Sequence, residues 1–208
     1  LGNIANTHVS LNTVDIGMAQ LAMHSSYETA GVLAGVYPEC QQKLSVFHNL
    51  IDTEAIRQKA LLPAEKSMHE GIRLLTVGRL TPQKGFDCAV YALKLLLEKQ
   101  YPVYWYIIGE GPEYGRLTQL ARSLHVEDHF IFLGMQTNPY PYFKMADFYI
   151  HATRFEGKSI AIQEAQVLGC AIAASDCSGN REQIVSGVDG LLCPFSPEGI
   201  ANAVEYLI

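Results

Sequence analysis

The sequence has few charged side chains, no excess of basic ones and no long apolar run. Charged residues make up 17% of the 208, and the formal net charge is −6. Binding to nucleic acid needs a basic surface that displaces counterions, so this composition argues against nucleic acid as a partner. No apolar run approaches the ~20 residues of a membrane-spanning helix.

Patterns that hold metals or disulfides are also missing. The five cysteines include no C-x-x-C pair, and an odd number cannot pair completely. The seven histidines show no zinc-like spacing with other ligands, and neither a nucleophilic triad nor a phosphate-binding P-loop is present. We therefore expect reduced thiols, no metal site and a cytoplasmic location.

What the sequence does have is a regular alternation of short apolar runs and amphipathic stretches from residue 73 onward. Strands that are apolar throughout and alternate with helices are typical of a parallel sheet covered on both faces. This predicts an α/β fold with a doubly wound, Rossmann-like sheet. The predicted strands cover 74–77, 103–108, 130–133, 148–151, 171–174 and 190–193, and the predicted helices cover 53–60, 86–97, 117–124, 142–145, 159–168, 182–185 and 197–208.

Residues 1–66 follow a different pattern, with one further strand predicted at 45–48. We interpret them as the tail of a preceding domain plus a linker, and residues 67–208 as a ligand-binding domain. The chain starts without Met and stops inside a predicted helix, which suggests a piece of a longer protein.

Glu156 and Glu164 bracket the start of a helix directly after a predicted strand, where ligands bind in such sheets. Gly157, Lys158 and Ser159 lie between them. Glycine allows close approach of the backbone, free amides at a helix start attract a diphosphate, and Ser159 is a suitable helix cap. The alternative is two solvated glutamates around an ordinary helix start.

Two more turns follow strands at the same edge. Gly78, Arg79 and Lys84 place two cations after the first strand, where they could offset the charge of a leaving diphosphate, although an ordinary solvated loop has the same composition. Gly109 opens a glycine pair after the second strand, but the third glycine is displaced, which disfavours a nicotinamide cofactor. His151 ends a strand near Glu156, and we interpret it as a half-buried side chain rather than a ligand.

These residues together resemble a known family. The pair Glu156 and Glu164, with seven residues between, resembles the E-x7-E signature of family 4 retaining glycosyltransferases of the GT-B fold. The resemblance extends, in the same order along the chain, to the 78–85 loop, the 108–112 turn, 132–134 and 187–192. Upstream, residues 24–38 and the Asn49–Asp52 link resemble the end of that family's N-terminal domain.

The resemblance implies a role for each site residue. Arg79 and Lys84 would bind the donor diphosphate, Glu164 the ribose, and Glu156 with the amides of residues 157–159 the donor sugar and phosphate. The stretch from 133 to 136, with Gly134 and Met135, would lie at the base, and Gly78 and Gly109 would line the pocket. No metal or other cofactor would be required. Lys158 and Ser159 stand where many members have an aromatic residue and a glycine, so the donor sugar is left open.

We therefore expect the donor-binding half of an enzyme that transfers sugar, with retention, from a nucleotide diphosphate sugar, most simply a UDP-sugar. The acceptor would be a saccharide or a lipid-linked sugar held by the missing N-terminal domain, in bacterial polysaccharide synthesis, with contact at the inner face of the membrane left open. The fragment alone would bind nucleotide without transferring sugar. Alternatives are a sugar-nucleotide epimerase on a related scaffold and a non-catalytic nucleotide-binding module.

Overall fold

A computed structural model describes residues 51–208, which form a parallel six-stranded sheet with helices on both faces. The strands are β1 (Ile72–Val77), β2 (Val103–Ile108), β3 (Phe130–Gly134), β4 (Phe148–His151), β5 (Ala171–Ser175) and β6 (Leu191–Cys193). Their order in the sheet is β3-β2-β1-β4-β5-β6. The predicted α/β, Rossmann-like fold class is confirmed.

The helices of the described part alternate with these strands. They are α1 (Thr53–Lys59), α2 (Phe86–Glu98), α3 (Tyr114–Ser123), α4 (Tyr140–Met145), α5 (Ile160–Val167), α6 (Ser178–Arg181) and α7 (Pro197–Leu207), with a 3-10 turn at Pro82–Lys84. Helices α2, α3 and α7 cover one face of the sheet, and α4 and α5 cover the other.

The core is built by strands that are buried on both faces. Along β2, Trp105 and Ile107 join one apolar cluster while Tyr106 and Ile108 join the other. This alternation follows from the two-residue period of a strand and explains why the central strands are apolar throughout. The indole of Trp105 donates to the Thr76 hydroxyl at 2.9 Å, so these buried polar atoms are also paired.

The sheet order places a switch point between β1 and β4. Chain connections run outward from β1 to β2 and β3, and then outward from β4 to β5 and β6. In an open parallel sheet a crevice forms where the strand order reverses, beyond the carboxyl ends of the strands. The loops after β1 and β4 therefore lie side by side, although they are far apart in sequence.

One predicted helix is wrong. The sequence suggests a helix over 182–185, whereas α6 spans Ser178–Arg181 and ends before it. The amide of Val185 donates to the Asp189 side chain at 2.7 Å, so it is used by the following turn and not by a helix. The strand predicted at 45–48, and the resemblance over 24–38, lie outside the described residues.

The segment before β1 packs against the sheet. The amide of Lys66 donates to the Tyr142 hydroxyl at 3.0 Å, and the amide of His69 donates to the Tyr106 hydroxyl at 2.6 Å. Ala64 and Met68 lie against the apolar cluster on that face. The domain boundary at 66/67 stays a prediction.

Candidate functional site

The loops after β1 and β4 are fastened together by backbone contacts. The carbonyl of Gln83 accepts hydrogen bonds from the Thr153 hydroxyl at 3.0 Å and from the Arg154 amide at 2.9 Å. Gly85 has φ of 63°, and a Cβ there would lie 2.2 Å from the Ala152 carbonyl oxygen. Only glycine fits this approach, so this residue determines how closely the two loops meet.

At this junction Lys84 forms an ion pair with Glu156. The Glu156 side chain is 6% exposed and that of Lys84 is 20% exposed. Burial would raise the pKa of Glu156, but the hydrogen bond from His151 and the charge and hydrogen bond of Lys84 outweigh it and lower the pKa to about 2. Glu156 is therefore a carboxylate at neutral pH, held as a hydrogen-bond acceptor in a crevice.

The second glutamate of the pair is paired differently. Glu164 lies in α5 and accepts a hydrogen bond from the Tyr140 hydroxyl at 3.0 Å. Burial raises the pKa of Glu164, and the bond from Tyr140 offsets part of that effect. Burial, followed by the neighbouring charge of Glu164, raises the pKa of Tyr140 to about 12. Glu164 therefore keeps one carboxylate oxygen that no residue of the described part bonds.

The turns after β1 and β2 are packed backbone against backbone. Gly109 has φ of 137°, and a Cβ there would lie 2.1 Å from the Gly78 carbonyl oxygen. Next to this contact is a cavity of about 510 Å³ at the carboxyl ends of β2 and β3. Its lining is formed by Gly109, Glu110, Gly111, Tyr114, Phe132, Leu133 and Gly134. Met135 is 68% exposed and is not among the lining residues.

Arg79 follows β1, at the same carboxyl end of the strands, and its side chain is exposed. Within residues 51–208 its guanidinium has no hydrogen-bond or ion-pair partner. A cation in a loop at the carboxyl ends of the strands, with donors that no residue from 51 to 208 uses, is able to bind an anion.

The start of α5 matches the prediction from the sequence only in part. The Ser159 hydroxyl accepts from the Ile162 amide at 3.4 Å, so the predicted helix cap is confirmed. The Ser159 amide, however, donates to the Gln183 side chain at 2.6 Å, and the Gly157 amide lies 3.3 Å from its neighbour's carboxylate, that of Glu156. The amide of Ser159 is thus already bonded inside the protein.

The structure brings the predicted residues to one edge and adds partners that the sequence does not reveal. Tyr140 contacts Glu164, which lies 24 residues later in the chain, and Gln183 contacts Ser159, which lies 24 residues earlier. Neither has a local motif that would mark it. His151 stands out by its position at the end of a strand, but no local pattern indicates that it is fully buried against Glu156.

Other kinds of site are not found in the described part of the chain. Residues 51–208 contain no cluster of three side chains suited to hold a metal ion. Their cysteines, Cys88, Cys170, Cys177 and Cys193, are free thiols. None of the helices in this range has the length and apolar character needed to cross a membrane.

Comparisons with known proteins identify the family. The family model described as "Glycosyl transferases group 1" matches residues 57–208. A Campylobacter jejuni N-acetylgalactosaminyltransferase acting on a diphospho-undecaprenol-linked sugar is 33% identical over 158 residues, covering 76% of this chain and 42% of that protein. An uncharacterized Haemophilus influenzae glycosyltransferase is 34% identical over 71% of this chain and 43% of its own length.

Solved structures with the same fold agree. A Rickettsia africae glycosyltransferase superimposes with a TM-score of 0.73 at 20% identity, over 86% of this chain and 50% of that one. HepE from Anabaena, solved with UDP, has a TM-score of 0.65 at 21% identity, over 79% of this chain and 48% of that one. The chain thus spans about half the length of the proteins it matches, and it belongs to the group 1 glycosyl transferases.

Proposed function

We propose that this group 1 glycosyl transferase chain is the donor-binding half of a GT-B enzyme that uses a UDP-sugar. The observation that carries the proposal is the meeting of Lys84, Glu156 and the Gly78–Gly109 contact at the switch point of the sheet. The UDP in the HepE structure supports the choice of donor.

Two cations of the crevice neutralise the donor diphosphate. Arg79 is exposed and unpaired within the described residues, and Lys84 stands beside it in the same loop. As the bond to the sugar breaks, negative charge grows on the diphosphate, and fixed cations stabilise that charge without a metal ion. Lys84 can turn from Glu156 to the phosphate while staying near both.

The carboxylates hold the hydroxyl groups of the donor. Glu156 remains ionised and accepts hydrogen bonds from the sugar. Glu164 accepts from the ribose with the oxygen that Tyr140 leaves free. The nucleobase occupies the neighbouring cavity beside Gly134. Gly157 and Lys158, in the turn between Glu156 and α5, contact the sugar and phosphate in this proposal.

Transfer proceeds with retention to a saccharide or lipid-linked acceptor bound by a preceding domain, of which residues 1–66 form the tail. The Campylobacter relative, whose acceptor is a lipid-linked diphosphate sugar, supports an acceptor of this class in polysaccharide synthesis. We place the enzyme in the cytoplasm.

Isothermal titration calorimetry with UDP, GDP and ADP tests the proposal. We expect UDP to bind, and Glu164→Ala to weaken its affinity by about tenfold because a charge-assisted hydrogen bond is lost. Glu127→Ala is the matched control. Glu127 is exposed and precedes β3, so it lies at the amino ends of the strands, away from the proposed site at their carboxyl ends. Failure of all three nucleotides to bind at millimolar concentration would overturn the proposal.

A further inference from the structure

His151 is a buried histidine with a contact on each ring nitrogen. It ends β4 and is 2% exposed. Its Nε2 lies 3.4 Å from a carboxylate oxygen of Glu156, and its Nδ1 lies 3.3 Å from the hydroxyl of Tyr149, which is fully buried. The ring is therefore fixed between a tyrosine inside the core and a carboxylate that faces the crevice.

The two contacts determine where the ring proton lies. An ionised carboxylate only accepts hydrogen bonds, so Nε2 must carry the ring proton and donate it in a hydrogen bond to Glu156. Nδ1 is then an acceptor, and the Tyr149 hydroxyl donates to it. Burial lowers the pKa of His151, and the charge of Lys84 adds to that effect against the opposing bond to Glu156, so the neutral form with its proton on Nε2 is favoured.

The Glu156 carboxylate depends on this ring once Lys84 has another partner. Without a ligand, one carboxylate oxygen of Glu156 receives both Lys84 and His151, and the other lies near the Gly157 amide. A donor diphosphate competes for Lys84. The bond from His151 does not involve the phosphate, because the ring lies inside the core behind the carboxylate.

We propose that His151 is a positioning residue that keeps the Glu156 carboxylate directed at the donor sugar when Lys84 turns to the diphosphate. The inference rests on the proposed function and deepens it. It assigns the selectivity for the sugar part of the donor to a chain of three residues, Tyr149, His151 and Glu156, while the nucleotide part is held elsewhere in the site.

The expected consequence is a split between two affinities. UDP lacks the donor sugar, so loss of His151 should leave the affinity for UDP within about twofold of the wild type. A UDP-sugar gains from the aligned Glu156, so the ratio of its affinity to that of UDP should fall about tenfold when the ring is replaced. A merely structural role would lower both affinities together.

The test compares His151→Leu and His151→Gln in the 208-residue chain, by calorimetry with UDP and with UDP-glucose, UDP-galactose and UDP-N-acetylglucosamine. Leucine fills the space without a donor, whereas the glutamine amide reaches about as far as Nε2 and should restore most of the ratio. Melting temperatures recorded for each variant show whether it is folded. If His151→Leu does not fold, Tyr149→Phe provides the second test, because it removes only the hydroxyl that fixes the proton on Nε2 and should lower the ratio partly.

The outcomes are separable. If the wild type binds no nucleotide, the proposed function fails and this inference with it. If the wild type prefers a UDP-sugar to UDP and His151→Leu keeps that preference, the inference alone is overturned. An equal preference in Tyr149→Phe and the wild type would overturn the same step, and so would a wild type that binds UDP and every UDP-sugar equally.

Discussion

Lys84 and Glu156 form an ion pair across the switch point of the sheet although 72 residues separate them in the chain. Lys84 follows β1 and Glu156 follows β4, and these two strands are neighbours in the sheet. Since the loops are also joined by Gln83, Thr153 and Arg154, the pair is held by the fold and not only by its own attraction. Because the proposed function also gives Lys84 a contact with the donor diphosphate, the pair should bear on both stability and ligand binding.

Lys84→Met should therefore act on both properties. It leaves Glu156 buried with only His151 as a side-chain partner, which we expect to cost about 2–3 kcal/mol of unfolding free energy. Urea denaturation measures this loss. UDP affinity, measured by calorimetry, should fall about tenfold because a phosphate contact is removed.

Arg79→Met is the matched control, because Arg79 is exposed and makes no ion pair within residues 51–208. Its unfolding free energy should stay within about 0.5 kcal/mol of the wild type, while UDP affinity falls comparably. Equal destabilisation by the two variants would contradict the role given to the Lys84 pair.

The low pKa of Glu156 gives the protein an acid-sensitive component of stability. Its folded-state pKa of about 2 lies below the ordinary value of 4.5, so the stabilisation is fully present above pH 4.5 and is lost as the pH falls toward 2. Glu156→Gln should show a shallower decline of unfolding free energy over this interval. Parallel curves for the two proteins would argue against the depressed pKa.

The sheet is well predicted from the sequence because the evidence for it is local. Short apolar runs identify the strands, the first three of which run into a glycine, and the parallel arrangement then follows from general rules of α/β folds. The rule that ligands bind at the carboxyl edge also groups Lys84 with Glu156 from the sequence alone. The helix at 182–185 is misplaced because the bond between Val185 and Asp189 is a turn feature that periodicity does not report.

The parts of the site that could not be predicted are contacts between elements. Tyr140 precedes β4 while Glu164 follows it, and their contact depends on how α4 and α5 pack on the same face. The use of the Ser159 amide by Gln183 depends likewise on how the segment after α6 packs on the start of α5. Such contacts are set by tertiary packing, which no short motif encodes.

Tyr140 should tune the pH dependence of nucleotide binding through Glu164. In the proposed function the ribose hydroxyls donate to the ionised Glu164 carboxylate. Burial raises the pKa of Glu164, so acidification should protonate it, and lower the affinity for UDP, at a higher pH than for an exposed glutamate. The Tyr140 hydrogen bond lowers that pKa. In Tyr140→Phe the loss should therefore begin at a higher pH, with UDP affinity at pH 7 reduced about two- to fivefold.

Glu164→Gln provides the reference for this experiment, because this variant has no carboxylate at position 164 whose titration could change the affinity for UDP. In calorimetry from pH 5 to pH 8, the affinity of this variant for UDP should change only through protonation of UDP itself. That change is common to the wild type, Tyr140→Phe and Glu164→Gln. A Tyr140→Phe curve that superimposes on the wild-type curve would remove Tyr140 from the control of Glu164.

The contact between Gly109 and Gly78 should be essential for the fold at the ligand edge. A methyl group at Gly109 meets a carbonyl oxygen at 2.1 Å in a backbone conformation with φ of 137°, and neither backbone segment can move without disturbing β1 or β2. We expect Gly109→Ala to cost more than about 2 kcal/mol in urea denaturation and to weaken UDP binding, since Gly109 also lines the cavity.

Gly115→Ala is the internal comparison for that change. Gly115 lies in the first turn of α3, and a Cβ there meets no atom within 4 Å. Because alanine favours the helix over glycine, this variant should be stabilised by up to about 1 kcal/mol with unchanged UDP affinity. The two substitutions add the same methyl group six residues apart, so opposite signs locate the constraint in the packed turn. Equal effects would mean that the turn after β2 has room to adjust, and that the close approach of the two loops does not shape the nucleotide site.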